Sequence, residues 1–192
     1  MSKAIKYYFL FCLKYRSLIA IVSSFLLLIS CTPDDKSLDI TQSYEFIYSS
    51  FQLSKNAQEK FMESCSKFLD SIKFNEAAKV DTKRLTVLLD SAKYTNQNSL
   101  YFISLTKEID IMKYKSIAIK YINLLNSLYS NEFKEFIHIL NTQSNDRYIK
   151  ADQLLTSQQP ELKKLSDEFR GAAKVVEEKY HIQNIVDSLH NF

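Results

Sequence analysis

The chain is 192 residues long, 46% hydrophobic and 24% charged, with one glycine, two prolines and no tryptophan, where average usage would supply roughly 13 glycines. A single glycine, Gly171, cannot furnish a dinucleotide-binding fingerprint, a phosphate-cradling loop or the turns of a many-stranded β protein, so the helix-compatible composition points to an all-α domain. The formal charge of +3 comes from the amino terminus: without Lys3, Lys6, Lys14 and Arg16 there remain 21 basic against 22 acidic groups, which leaves no clustered positive surface for nucleic acid.

Residues 1–16 are basic and aromatic, and residues 17–30 (SLIAIVSSFLLLIS) form a 14-residue uncharged apolar run. This is the layout of a cleaved helical secretory signal over residues 1–30; a spanning helix needs about 20 apolar residues, and Lys14 and Arg16 cut this one short. Leu28-Ile29-Ser30-Cys31 resembles the lipobox of bacterial lipoproteins, in which an aliphatic residue, a small residue and a cysteine meet the signal peptidase. A thiol is required there because it forms the thioether to diacylglycerol before cleavage. The resemblance implies that Leu28, Ile29 and Ser30 are read by the peptidase and that Cys31 becomes the acylated first residue, carrying fatty acids such as palmitate. Each buried methylene contributes ~0.8 kcal/mol, so several chains hold a protein firmly in one leaflet.

Processing at that point leaves 162 residues, enough for one domain with a single core. Cys12 leaves with the signal and Cys31 is consumed by lipid, so Cys65 stays as a free thiol. Residues 31–39 form the acylated cysteine and a polar tether, and residues 40–192 the helical domain. The Asp34-Asp35 pair behind the cysteine resembles acidic sorting signals of surface-exposed lipoproteins in some Gram-negative bacteria.

Four helices are expected in residues 40–192. Ile40, Tyr44, Ile47, Phe51, Ser54, Gln58, Phe61, Cys65, Phe68 and Ile72 keep steps of four and three, which predicts one long helix over 40–73 with Cys65 packed in its seam. A polar break with Asn75 and Asp81 as caps leads to a second helix over 81–107, with Leu85, Leu88, Leu89, Ala92, Phe102, Ile103 and Leu105 as its apolar surface. Residues 94–99 (YTNQNS) interrupt that pattern, a place where the helix would fray, kink or split. The third, over 111–141, carries a broad stripe from Tyr114 through Tyr121, Leu125 and Tyr129 to Phe136 and Leu140, and a turn at 142–146 ends it. The fourth, over 146–181, holds its register from Tyr148 through Leu155, Leu162 and Phe169 to Val176 straight across Pro160, which predicts a kink or a break there. Residues 182–189 would add a short terminal turn. Four long elements with short joints and one stripe each are satisfied by an up-down-up-down four-helix bundle, and the breadth of the stripes favours this over a coiled coil with a second chain.

Chemistry is sparse. Glu135-Phe136-Ile137-His138 and Glu178-Lys179-Tyr180-His181 have the Glu-x-x-His spacing of four-helix diiron carboxylate proteins. At ~100° per residue, however, His138 lies more than roughly a third of a turn from the apolar centre of its helix, and Glu178 points almost opposite Leu165, Phe169 and Val176. His190 has no ligand partner at zinc spacing, and no serine sits in a nucleophile elbow. The sequence therefore assigns no catalytic residue, no cofactor and no metal. Tyr48, Tyr101 and Phe133 fall towards the stripe edges and form a candidate partner-facing patch.

The run Tyr129-x3-Phe133-x2-Phe136-x2-Ile139-Leu140, with Phe169-x2-Ala172-x3-Val176-x2-Lys179-Tyr180-His181-Ile182 and the lipobox, resembles a family of small all-helical bacterial surface lipoproteins. The resemblance spans residues 114–182; the interrupted second helix and Pro160 depart from it. It implies an anchored helical domain and transfers no catalytic residue. The expected function is that of a non-enzymatic binding or structural module. It would be held to the bacterial outer membrane by its lipid, facing outward or into the periplasm, and would contact protein or cell-wall partners. The alternatives are a helical metal or small-ligand carrier and, further off, an envelope enzyme.

Overall fold

The computed structural model describes residues 36–73, 80–106, 111–142 and 144–182, and among these described residues apolar side chains recurring every three to four positions drive six helices. They are α1 Lys36–Lys73, α2 Lys83–Ser104, α3 Met112–Ser130, α4 Glu132–Asn141, α5 Arg147–Ser157 and α6 Gln159–Tyr180. Single residues, Asn131 and Gln158, separate α3 from α4 and α5 from α6. The six segments therefore build four legs of an up-down-up-down all-α bundle, and no strand occurs among the described residues. The lower end collects the start of α1, the end of α2, the start of α3 and the end of α6. The Tyr44 hydroxyl donates to the Glu177 carboxylate there, and the Lys115 ammonium to the Thr106 carbonyl. At the upper end Thr82 Oγ1 meets Asn141 Oδ1 at 3.1 Å, joining the start of α2 to the end of α4.

α1 is 38 residues long, about 57 Å at 1.5 Å per residue. It begins four residues earlier than periodicity predicts, so the end of the expected tether, 36–39, is already helical; Asp39 in the first turn complements the helix dipole. Its seam is buried at every expected position except Phe68, which is half-buried while Leu69 turns inward. Aromatic rings make the contacts. Phe51 stacks on Phe169 of α6 at 3.7 Å between centroids and tilts against Tyr121 of α3 at 4.6 Å. Higher up, Phe61 meets Tyr129 edge-on at 6.0 Å. Such pairs add to the stabilisation from burial alone.

α2 runs unbroken through 94–99, because the residues that interrupt its apolar pattern are the ones it buries. Asn96 and Ser99 are 0% and 2% exposed. Phe46 shares a cavity wall with Phe102 and Leu105, and Phe68 with Arg84; in that antiparallel register Ser50 falls level with Ser99 and Ser54 with Asn96. All four are buried, so α1 and α2 approach through small polar side chains, and Asn96 donates its amide to Asn126 Oδ1 of α3 at 3.2 Å. The same rotation turns Phe102 and Leu105 outward, to 43% and 56% exposure. They are not part of the packed surface that their hydrophobicity suggests. At its start the N-cap is Thr82 and not the expected Asp81, which lies one residue earlier and accepts from the Lys83 N–H at 3.1 Å; Asn75 lies outside the described residues.

The third predicted helix is broken where no break was expected. At Asn131 (φ −119°, ψ −80°) the backbone leaves the helical region, since serine and asparagine in sequence compete for backbone bonds and two glutamates begin the next helix. The shift swings Phe133 into the core, 0% exposed, with its ring 5.0 Å from Phe61 and 5.5 Å from Tyr129. The fourth leg breaks at Gln158, and Pro160 enters α6 in its first turn, where its missing N–H costs nothing. α6 closes on His181, left-handed at φ 53°, with the Ile182 N–H donating to the Glu177 carbonyl at 3.0 Å. In a chain without a glycine to spare there, histidine takes a position glycine usually fills.

Candidate functional site

Three turns of α1 bring Tyr44, Tyr48 and Phe51 to the lower half of the bundle, against Tyr114 of α3 and Phe169 of α6. Tyr44 and Tyr114 stack at 5.2 Å, and Tyr114 lies 4.7 Å from Phe169. Burial pushes the Tyr44 phenol well above its ordinary range, and the hydrogen bond and charge of Glu177 add to it; burial does the same to Tyr114. Both stay protonated rather than acting as bases, and Tyr44 is the donor to Glu177. Cys65 is fully buried, and burial pushes its thiol up as well, so it is a packing group and not a nucleophile.

Beside these aromatic rings a groove of about 500 Å³ runs between α3 and α6, with apolar walls from Ile117, Ala172, Val175 and Val176 and with Lys113 and Lys179 at its rim. Gly171 lies on that wall, and a methyl group added to it would meet nothing. A second groove, about 430 Å³, crosses α1 and α6 and is lined by charged side chains. Two ion pairs border it, Lys55–Glu59 at 3.5 Å and Arg170–Asp167 at 2.6 Å, in the manner of a solvated face. A third hollow, about 340 Å³, opens at the lower end between Asp39, Phe46, Phe102 and Leu105.

The residues singled out from sequence are placed as follows. Cys31, with Leu28, Ile29 and Ser30, lies outside the described residues, as do His190 and the expected terminal turn beyond 182. Glu135 and His138 are exposed on α4 at the upper end, while Glu178 and His181 are exposed at the lower end. The rise of the intervening α3 and α4 separates the two pairs by on the order of 35 Å, so they do not share a site. Among the described residues no three His, Cys, Asp or Glu side chains gather to hold a metal ion. The patch expected from Tyr48, Tyr101 and Phe133 does not form: Phe133 is core, Tyr48 is half-buried and stacked on Tyr44 at 5.9 Å, and Tyr101 alone is open, at 61% exposure.

What periodicity missed is an apolar end. Six of the ten large hydrophobic side chains exposed among the described residues, Phe46, Tyr101, Phe102, Leu105, Met112 and Val175, lie at or near the lower end. Counting Asn96 and Ser99 as seam positions in the sequence would have put Phe102 off the seam and exposed it. Arg147 was missed too; it is 2% exposed and donates to the carbonyls of Leu140 at 3.2 Å and Thr142 at 3.1 Å, closing the end of α4. Comparison with protein-family models, with curated proteins and with solved structures finds no match to this chain.

Proposed function

We propose that this chain is a lipid-anchored protein of the bacterial outer envelope whose helical bundle acts as a non-enzymatic binding or structural module. The observation that carries this reading is Leu28-Ile29-Ser30-Cys31 after a basic and apolar leader, with a helical bundle that begins five residues beyond the cysteine. No described helix is long and apolar enough to cross a membrane. On this reading the partner is a protein or a cell-wall component met on a bundle face.

The test is Cys31→Ala in the native host, followed by detergent phase partitioning and intact mass of the mature chain. Wild type carrying acyl mass and entering the detergent phase, with the variant unprocessed and lacking that mass, supports the anchor. A variant cleaved as wild type and still wholly in the detergent phase refutes it. Protease shaving of whole cells then decides between the outward and the periplasmic face. The α3–α6 groove favours a second reading, a carrier of a small apolar ligand with an acidic group set between Lys113 and Lys179. Saturable displacement of a fluorescent fatty acid, lost in Ala172→Phe, would support that alternative.

A further inference from the structure

The bundle end from which the tether leaves is also the end where apolar side chains stay uncovered. Phe46 is 54%, Tyr101 61%, Phe102 43% and Leu105 56% exposed, and Phe46, Phe102 and Leu105 line one hollow between α1 and α2. Tyr101 and Phe102 lie edge to face at 5.8 Å, so the patch is continuous along the last turn of α2. Contiguous apolar surface rimmed by polar groups marks a binding face rather than chance exposure.

We infer that this α1–α2 corner is seated on the bilayer that holds the chain, with Phe46, Tyr101, Phe102 and Leu105 entering the interface between headgroups and acyl chains. The inference rests on the lipid-anchor reading. From Cys31 to the start of α1 at Lys36 there are five residues, which reach at most about 18 Å when fully extended. The lower end therefore cannot leave the neighbourhood of the lipid surface, and the bilayer is the apolar partner present there at all times. Phe46 lies ten residues into α1, about 15 Å along its axis, level with Phe102. An upright bundle would lift the patch clear, so the seat requires the bundle to lean onto its α1–α2 side. Phenylalanine and tyrosine suit this depth, because a tyrosine ring enters the boundary while its hydroxyl stays wet. Interfacial burial of this kind reaches ~5–10 Å, deep enough to touch the upper acyl chain and too shallow to need a spanning segment.

The experiment uses the full acylated protein, purified from membranes and reconstituted into vesicles of phosphatidylethanolamine and phosphatidylglycerol with and without lipid brominated high on its chains. A fluorophore is attached at Leu105→Cys, just past the end of α2, or, as control, at Val87→Cys on the upper turn of α2, where exposure is 67%. Intact mass establishes the acyl group in each sample, and Cys65, buried, and Cys31, acylated, leave wild type as the unlabelled blank. Both substituted positions are exposed, and circular dichroism checks that the bundle is retained. The expected result is quenching at 105 at least about twofold stronger than at 87, abolished when Phe46 and Phe102 are both replaced by glutamate while the protein remains acylated and vesicle-bound. Equal quenching at the two positions in acylated protein overturns the seat and leaves the anchor standing. So does protection of 105 from a water-soluble reagent without quenching, which would assign the corner to a second copy or to another part of this chain. Absence of acyl mass overturns the anchor and the seat together.

Discussion

Raising the pH should unfold this bundle through its buried phenols. Tyr44, Tyr114, Tyr121 and Tyr129 are at most 2% exposed, and burial pushes all four above the ordinary phenol value of 10.0. In the unfolded chain each ionises near ~10. A group whose folded pKa is raised contributes stability that is whole below its unfolded pKa and is lost as the pH climbs towards the folded one, by about 1.4 kcal/mol per pH unit per group. At about pH 11 each phenol has cost roughly 1.4 kcal/mol and the four together about 6 kcal/mol; Cys65, raised from an unfolded value near ~8.5, adds about 3 kcal/mol. That total is comparable with the whole stability of an ordinary domain, ~5–15 kcal/mol. Phenolate absorbance recorded together with far-ultraviolet circular dichroism should therefore show four phenols ionising in one cooperative step with the loss of helix, between about pH 10.5 and 11.5. If those phenols titrate smoothly near their ordinary value while the helices persist, the aromatic core is open to water and the reasoning fails.

Substitutions at three positions probe the packing. Tyr129→Phe removes a fully buried hydroxyl that has no hydrogen-bond partner, and should raise stability by about 1 kcal/mol and Tm by ~2–4 °C in a calorimetric scan. Arg147→Met keeps the volume but strips the Leu140 and Thr142 carbonyls of their buried donor; denaturant unfolding should show a loss of about 2–3 kcal/mol. Ser54→Ala should be close to neutral, because the buried Ser54 hydroxyl is itself without a partner. Ser54→Leu should cost about 1–3 kcal/mol by wedging α1 from α2; equal Tm values for those two variants would show that the helices are not closely apposed there.

The four legs could be read from periodicity because each has a broad apolar stripe, and the Pro160 break because proline is welcome only in a first turn. The Asn131 break could not, since Leu128, Tyr129, Phe136 and Leu140 keep a helical pattern on both sides of it. One backbone residue out of register leaves such a pattern almost intact while turning Phe133 from the edge to the centre. The α1–α2 seam was obscured for a different reason. It is built from Ser50, Ser54, Asn96 and Ser99, residues that count as polar in a pattern yet are small enough to pack, and assigning the stripe to Phe102 and Leu105 instead hid the exposed corner. The surface placement of Glu135, His138 and Glu178 followed from helical geometry alone. Their separation to opposite ends of the bundle did not, because it depends on chain direction in three dimensions.

The two single-residue breaks have a shared mechanical meaning. α4 and α5 form an antiparallel hairpin joined by Arg147 to the carbonyls at its turn, and that pairing sets Asn131 and Gln158 opposite one another at the base of the hairpin. α1 passes the same level unbroken, with Phe61 against Tyr129 below the joint and Phe133 above it. The hairpin is thus a knuckle on a splint: each of its legs meets the shaft at a single residue that interrupts the helix, while α1 runs past both joints unbroken. Amide exchange should release it as a unit ahead of the shaft below.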